Sequence, residues 1–290
     1  MNTFYKILDL LPGPVRDMVY DPEVRRKFDE LPRENLGEMG YDPFGYNPEI
    51  LKEILPIVLF LYRAYFRVQA FDIDRVPEKR VVLVANHAGQ IPVDGFVVAS
   101  SMLIDAPHPR VARSMIEKWV PTLPFVSWFM ARAGQVVGTP ENFTRLLNRN
   151  ETILDFPEGV RGISKTFPHR YRLADFGQGF MRLALSTKAQ IVPVAVIGSE
   201  EQVMSFHNSR TMAKLMGAPS FPLTPFFPWL GPLGLMPLPV RFRLYYGKPM
   251  TFRGDPDEDD EKIQMKVKRV RSALQGLIQR GLNERKHIFW

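Results

Sequence analysis

Cysteine is absent from the 290 residues. Thiol nucleophiles, thiolate zinc sites, iron–sulfur clusters and disulfides are therefore excluded, and a reducing compartment is compatible with the composition. Long apolar runs are scarce as well. The longest near the N-terminus, residues 54–62, lies between Glu53 and Arg63 and contains Pro56, far short of the roughly 20 residues a spanning helix needs. Residues 1–40 lack a basic end, an apolar stretch and a small-residue cleavage site, so export by a secretory signal is not expected. There is no Gly-x-Ser-x-Gly elbow, no His-Glu-x-x-His and no Gly-x-x-x-x-Gly-Lys, and the nearest approach to a dinucleotide fingerprint, Gly177 and Gly179, has Arg182 where the third glycine belongs. His87, His108, His169, His207 and His287 are scattered without metal-ligand spacing. No metal, no bound cofactor and no nucleic-acid partner are expected.

What remains is an ordinary globular composition, 45% apolar and 24% charged, with 38 Lys and Arg against 31 Asp and Glu for a net +7. Disorder and collagen-like repeats are excluded, and the length allows one large α/β domain with attached segments. Residues 241–290 hold 12 bases and 7 acids, hence +5 of that charge. This surplus reads as a solvated helix face or as attraction to anionic lipid. Residues 215–240 carry no charge but contain seven prolines, which forbid a continuous helix. The segment therefore either covers the protein's own core as an aromatic-rich loop or dips into the interfacial layer of a bilayer, where Phe226, Phe227 and Trp229 would be at home.

Prolines at 12, 14, 22, 32, 43 and 48 make residues 1–48 read as loop. Over 49–68, Leu51, Leu55, Val58, Tyr62 and Tyr65 recur at spacings of three and four, which predicts an amphipathic helix resting on the core or on a membrane. From residue 80 onward β-branched runs alternate with helical patterns. Strands are expected over 81–85, 110–113, 135–137, 152–156, 191–197 and 241–246. Helices are expected over 93–103, 123–132, 140–148 and 176–186, with Thr139 capping Pro140. The apolar stripe Ile263, Val267, Val270, Leu274, Leu277 and Ile278, acids before it and Arg280, Arg285 and Lys286 after it, predicts a C-terminal helix. The fold class is α/β: a mostly parallel mixed sheet flanked by helices, with residues 1–70 as an N-terminal extension and 71–290 as the main domain.

Two segments follow expected strands directly, where catalytic groups of open α/β sheets gather. In the first, Ala85-Asn86-His87-Ala88-Gly89-Gln90-Ile91-Pro92-Val93-Asp94, His87 is a candidate general base and Asp94 the carboxylate that would fix its tautomer. In the second, Asp155-Phe156-Pro157-Glu158-Gly159-Val160-Arg161-Gly162, Pro157 ends the strand, Gly159 and Gly162 let the backbone turn, and Arg161 and the following Lys165 offer cations to a phosphate or carboxylate. The bland alternative is a strand-to-loop turn with a Glu158–Arg161 surface pair. A third segment, Val192-Pro193-Val194, puts proline in an apolar strand, which a central ladder does not normally tolerate.

In this order and spacing, the segments resemble the glycerolipid acyltransferase family over about residues 80–250. That family pairs Asn-His and a nearby Asp with a Phe-Pro-Glu-Gly-x-Arg block and a Val-Pro-Val strand. Two departures stand out. Six residues separate His87 from Asp94 where the family usually has four, and a continuous helix would put them about 10.5 Å apart along its axis. The pair can meet only if 88–91 is a loop, which Gly89 favours, and the helix begins near Pro92. Across 134–142 the family's phosphate-gripping Arg is missing, leaving Arg161, Lys165 or Arg170 as replacements, or an acceptor without phosphate.

The resemblance implies a peripheral enzyme on the cytoplasmic face of a membrane, moving a fatty acyl group from acyl-coenzyme A or acyl carrier protein to a lysophospholipid, 1-acylglycerol 3-phosphate first. His87 and Asp94 would be catalytic. Asn86, Glu158, Gly159, Arg161 and Lys165 would bind substrate, backbone N–H groups at the following helix start would hold the oxyanion, and apolar segments 54–66 and 221–238 would collect acyl chains from an anionic lipid surface. Alternatives are a neutral-lipid acyltransferase acting on a monoglyceride, diglyceride or fatty alcohol, a non-catalytic lipid-binding protein, and a thioester or lipid hydrolase.

Overall fold

Seven strands form the main sheet of the computed structural model, which describes residues 10, 12–33, 35–88, 91–122, 126–217 and 220–289. They are β1 (Gln69–Phe71), β2 (Val81–Ala85), β3 (Ala112–Ile116), β4 (Val136–Val137), β5 (Thr152–Asp155), β6 (Gln190–Ile197) and, after a small ribbon of β7 (His207–Asn208) and β8 (Pro222–Leu223), β9 (Arg243–Tyr246). The order is β1-β9-β6-β2-β5-β3-β4. The five strands from β6 to β4 are mutually parallel, while β9 runs antiparallel to β6 and β1 follows β9.

The centre of the sheet is buried on both faces, and β2 at its middle is apolar at every position. Val81, Leu83 and Ala85 point into a layer with Val97, Val98 and Met102 of the helix Val93–Ile104. Val82 and Val84 point the other way, into a layer with the helices Pro140–Asn148, Gly179–Thr187 and Asp260–Glu284. Period-two alternation thus separates two cores, and each fully buried Val, Leu or Ile contributes about 1.5–3 kcal/mol.

The expected strand 81–85 and helix 140–148 coincide with the observed elements, the other expected strands shift by up to three residues, and β1 was not expected. Residues 123–125 of the expected helix 123–132 lie outside the described set; the helix observed there is Val126–Arg132. Two expectations need correction. Residues 1–48 are not all loop, for they contain the helices Gly13–Val19 and Pro22–Asp29. Their prolines start helices instead of breaking them: Pro22 follows an Asp21 cap whose side chain accepts from Glu23 N and Val24 N. Pro193 does sit in a central strand. Its carbonyl accepts from Gly247 N, and Ile191 exchanges both bonds with Met250, so the proline nitrogen faces the 247–249 turn where β9 has ended and no ladder bond is lost.

The amphipathic helix is observed as Pro48–Leu59, continued by a π-helical turn Phe60–Tyr65. Its stripe, Leu51, Leu55, Val58, Leu59 and Tyr62, packs on Val24, Phe28, Leu103 and Ile104 inside the protein. Arg113, only 2% exposed, fastens the extension to β3. It pairs with Asp42 at 2.7 Å and Glu151 at 3.0 Å, donates to Gly134 O, and lies between the rings of Phe44 and Tyr46. Removing one partner of such a buried cluster leaves an uncompensated charge. Arg113→Ala is expected to lower unfolding free energy by about 3–5 kcal/mol in denaturant titration, with Asp42→Asn recovering part of the loss in the double variant.

Candidate active site

The C-terminal ends of β2, β3, β4 and β5 meet at one edge of the sheet, and the residues just past them face one another. Asn86 follows β2 and is fully buried; its Nδ2 donates to Val196 O at 3.0 Å and its Oδ1 accepts from Val196 N at 2.7 Å. Both ends of the amide are thus committed to β6, extending the β2–β6 pairing by one step, and this expected substrate-binding residue acts on the sheet. His87 comes next. Its Nδ1 lies 2.6 Å from Oδ2 of Asp94, so the ring carries its proton on Nδ1 toward the carboxylate and leaves Nε2 as the proton acceptor.

The six-residue spacing is bridged as a loop requires. Residues 86–88 after β2 are not helical, and the helix begins at Val93 with Pro92 as its N-cap. Gly89 lies outside the described residues. Asp94, in the first turn, also accepts from Ala88 N at 2.9 Å and Gly95 N at 2.7 Å and is fully buried, so backbone donors fix its carboxylate before it holds the imidazole. The N–H groups of Ala88, Val93 and Gly95 are therefore engaged, Val93 N with Ile91 O, and are not available to the expected oxyanion.

The second block holds His87 from the other side. The Phe156 ring stacks on the imidazole at 4.3 Å between centroids. Glu158 is 2% exposed: its Oε1 accepts from His87 N at 2.9 Å, and its Oε2 accepts from Ala174 N at 2.7 Å and lies 3.2 Å from Lys165 Nζ. Lys165 also reaches Glu200 at 3.1 Å. Burial pushes the Glu200 carboxyl up to about 7, against the pull of Lys165. The Glu158–Arg161 surface pair does not form; Arg161 donates to Asp175 O at 2.9 Å and stays exposed. Arg170 is exposed, lying over the Phe167 ring. Thr139, within the stretch 134–142 that lacks an arginine, caps the helix Pro140–Asn148.

The two glycines serve different ends. Gly159 has φ +53° and ψ −143°, a conformation side chains resist. Gly162 is not at positive φ; a Cβ there would sit 2.7 Å from His87 Cβ and 2.9 Å from His87 O, so it is the close approach to His87 that demands glycine.

Sequence reasoning passed over two acids. Asp155, ending β5 beside Val84, is held up to about 6 by burial, with Glu117 pushing the same way and His87 opposing. Glu117, just past β3, places Oε1 within 3.5 Å of a Cβ built on Gly159. The signal available for Asp155 was an acid closing an otherwise apolar strand; Glu117 had none. Among the described residues no cluster of three His, Asp or Glu is placed to hold a metal. The arrangement can take a proton at Nε2 of His87 and shed it again, with Asp94 stabilising the cationic ring.

A family model described as Acyltransferase matches residues 67–197. An uncharacterized protein of Mycobacterium leprae is 37% identical over 260 residues, covering 88% of this chain and 71% of that protein. The human DGAT1/2-independent enzyme synthesizing storage lipids is 23% identical over 206 residues, 71% of this chain and 60% of its own length. The crystal structure of the 1-acyl-sn-glycerophosphate (LPA) acyltransferase from Thermotoga maritima superposes with a TM-score of 0.52 at 14% identity, covering 99% of this chain and 98% of that one. At that identity the likeness is one of fold.

Asp155 supplies a pH test. A carboxyl whose folded pKa is raised contributes stability at low pH that is lost as pH climbs through the raised value. Between the ordinary 3.8 and about 6, wild type should therefore lose thermal stability relative to Asp155→Asn, with a constant difference above that range. Melting curves across pH check this; a pH-independent difference would contradict it.

Proposed function

Since this chain belongs to the acyltransferase family, we propose that it transfers a fatty acyl group from an acyl thioester, acyl-coenzyme A or acyl carrier protein, to the hydroxyl of a lysophospholipid, with 1-acylglycerol 3-phosphate as the leading acceptor. The observation that carries this is the 2.6 Å His87–Asp94 contact at the sheet edge, which leaves Nε2 of His87 as a base with no nucleophilic side chain needed. His87 takes the acceptor's hydroxyl proton as the oxygen attacks the thioester carbonyl. The tetrahedral adduct collapses, the C–S bond breaks, and the proton returns from His87 to the departing thiolate, giving ester and free thiol. Asp94 keeps the ring oriented and stabilises its cationic form. On this reading the enzyme works from the cytoplasmic face of a membrane without spanning it; among the described residues no helix is long and apolar enough to cross one.

Glu158 and Gly159 shape this site through His87 and the backbone turn. Of the cations proposed to grip a phosphate, Lys165 is engaged by two carboxylates, so Arg161, exposed and held by one backbone carbonyl, is the phosphate contact. A second reading, an uncharged acceptor such as a diglyceride or fatty alcohol, is favoured by the Asp155 carboxyl beside the base. The absence of an arginine from 134–142 and the storage-lipid relatives point the same way.

Purified protein given labelled acyl-coenzyme A and lysophosphatidic acid, other lysophospholipids, diglyceride and fatty alcohol separates these. His87→Ala is expected to lose at least about 100-fold in rate, the lower end for a general base. Arg161→Ala is expected to raise KM for the phosphate acceptor about tenfold, as for a lost hydrogen bond to a charged group, while sparing uncharged acceptors. Ester formed only from uncharged acceptors selects the second reading. No His87-dependent ester with either donor overturns acyl transfer.

A further inference from the structure

The excursion between β6 and β9 has an unusual surface. Residues 198–242 carry three bases, Arg210, Lys214 and Arg241, none of them buried, and their two acids, Glu200 and Glu201, are buried. Of the large apolar side chains exposed among the described residues, half fall between 206 and 236, with Trp229 86%, Leu233 68% and Leu215 79% exposed. A patch of this kind calls for a partner.

The tip of the excursion is shaped, not loose. Thr224 Oγ1 donates to Gly234 O at 2.8 Å and accepts from Phe227 N at 3.0 Å, and Leu230 N donates to Phe226 O at 2.8 Å. A Cβ on Gly234 would meet the Phe226 backbone at 2.6 Å. The loop thus satisfies much of its own backbone while turning Trp229, Leu230, Leu233 and Met236 outward. That meets the condition for entering an interfacial layer, where unpaired backbone is not tolerated at depth.

Its position follows from topology. β6 is parallel to β2, so its C-terminal end lies at the edge where His87 sits, and antiparallel β9 begins opposite it, with Ile197 in register with Arg243. The excursion therefore leaves and re-enters the sheet at the site's own edge. It touches the site there: Gln202 Nε2 donates to Ile91 O at 3.2 Å, Asn208 Nδ2 to Ser164 O at 2.6 Å, and Phe167 N to Ser205 O at 2.7 Å.

We propose that this excursion, through the loop 226–236, is the surface by which the protein docks on an anionic lipid bilayer. Lipid fits better than a protein partner because aromatic and aliphatic tips on a segment whose unburied charges, Arg210, Lys214 and Arg241, are all basic match the interface of an anionic membrane. The helix Pro48–Leu59 does not compete for this role, since its apolar stripe is packed inside the protein.

Vesicle co-sedimentation tests this with phosphatidylcholine alone and with phosphatidylglycerol added. Wild type should bind the anionic vesicles more tightly, and the binding should weaken with salt. The double variant Trp229→Glu/Leu233→Glu should bind at least about tenfold more weakly, as expected for losing two buried apolar groups. Met265→Glu, on the C-terminal helix, should bind as wild type. Lipids brominated near the headgroup should quench wild-type tryptophan emission more than that of the conservative variant Trp229→Phe, a comparison that does not depend on the charged variant folding. Failure of wild type to bind either vesicle, binding of the double variant equal to wild type, or equal quenching in Trp229→Phe would each overturn the proposal. His87→Ala should bind vesicles as wild type does, so failure of acyl transfer and failure of docking give different results.

Discussion

The Glu158 carboxylate is the constraint on which the site depends. It is almost wholly buried, so its charge must be compensated, and both oxygens are committed: one to His87 N, the other to Ala174 N and Lys165. Through these bonds the chain leaving β2 is tied to the chain leaving β5. Lys165 extends the tie to Glu200 just after β6. Asn86 adds a further link, matching its amide to the backbone of Val196. Three strand ends are thereby set relative to one another by polar groups within a low-dielectric setting, where an unmet partner is expensive and an ordered one holds position.

This arrangement gives the imidazole little freedom. Asp94 fixes one ring nitrogen, Phe156 fixes the plane, and Gly162 packs against the backbone and Cβ with no room for a side chain. Proton transfer is sensitive to such placement, because a base must lie within hydrogen-bond reach of the proton it takes. The acids around it divide by environment. Asp94 accepts two backbone N–H donors and holds the imidazole. Asp155 has burial and Glu117 against it and is pushed toward neutrality. Two carboxyls beside one histidine are thus set to different tasks by their surroundings.

Much of this was legible in the sequence, and the limits have physical causes. The buried strand Val81–Ala85 is five apolar residues in a row, and the helix Pro140–Asn148 has a threonine cap, proline at its first position and a strongly one-sided apolar pattern; both were read correctly for those reasons. The strand Gln69–Phe71 was missed because three residues carry no period. The early helices were missed because proline was read as a breaker when it stood at the start. The His87–Asp94 pair was legible as residues, while its contact depended on where the helix began. Glu158 and Lys165 were visible as charges, but not as a buried pair, since burial is a tertiary property. Glu117 comes from a different strand end, and no local pattern joins it to Asp155.

The direction of β9 decides what kind of surface the site can have. In a sheet of parallel strands, each connection crosses from the C-terminal edge back to the N-terminal edge, and a long insertion between two strands is shared between them. Here β9 runs against β6, with Val194, Ala195, Val196 and Ile197 paired to Tyr246, Tyr245, Leu244 and Arg243 in reverse. The whole excursion from 198 to 242 therefore has both its ends at the catalytic edge. A connection so anchored has no need to cover the sheet, and its apolar tip projects from the edge where His87 waits. An enzyme acting on lipid must bring a dissolved thioester and a membrane-held hydroxyl to one base. On the proposed docking, an apolar projection and a base on the same edge shorten the distance a membrane-held acceptor would have to rise from the bilayer.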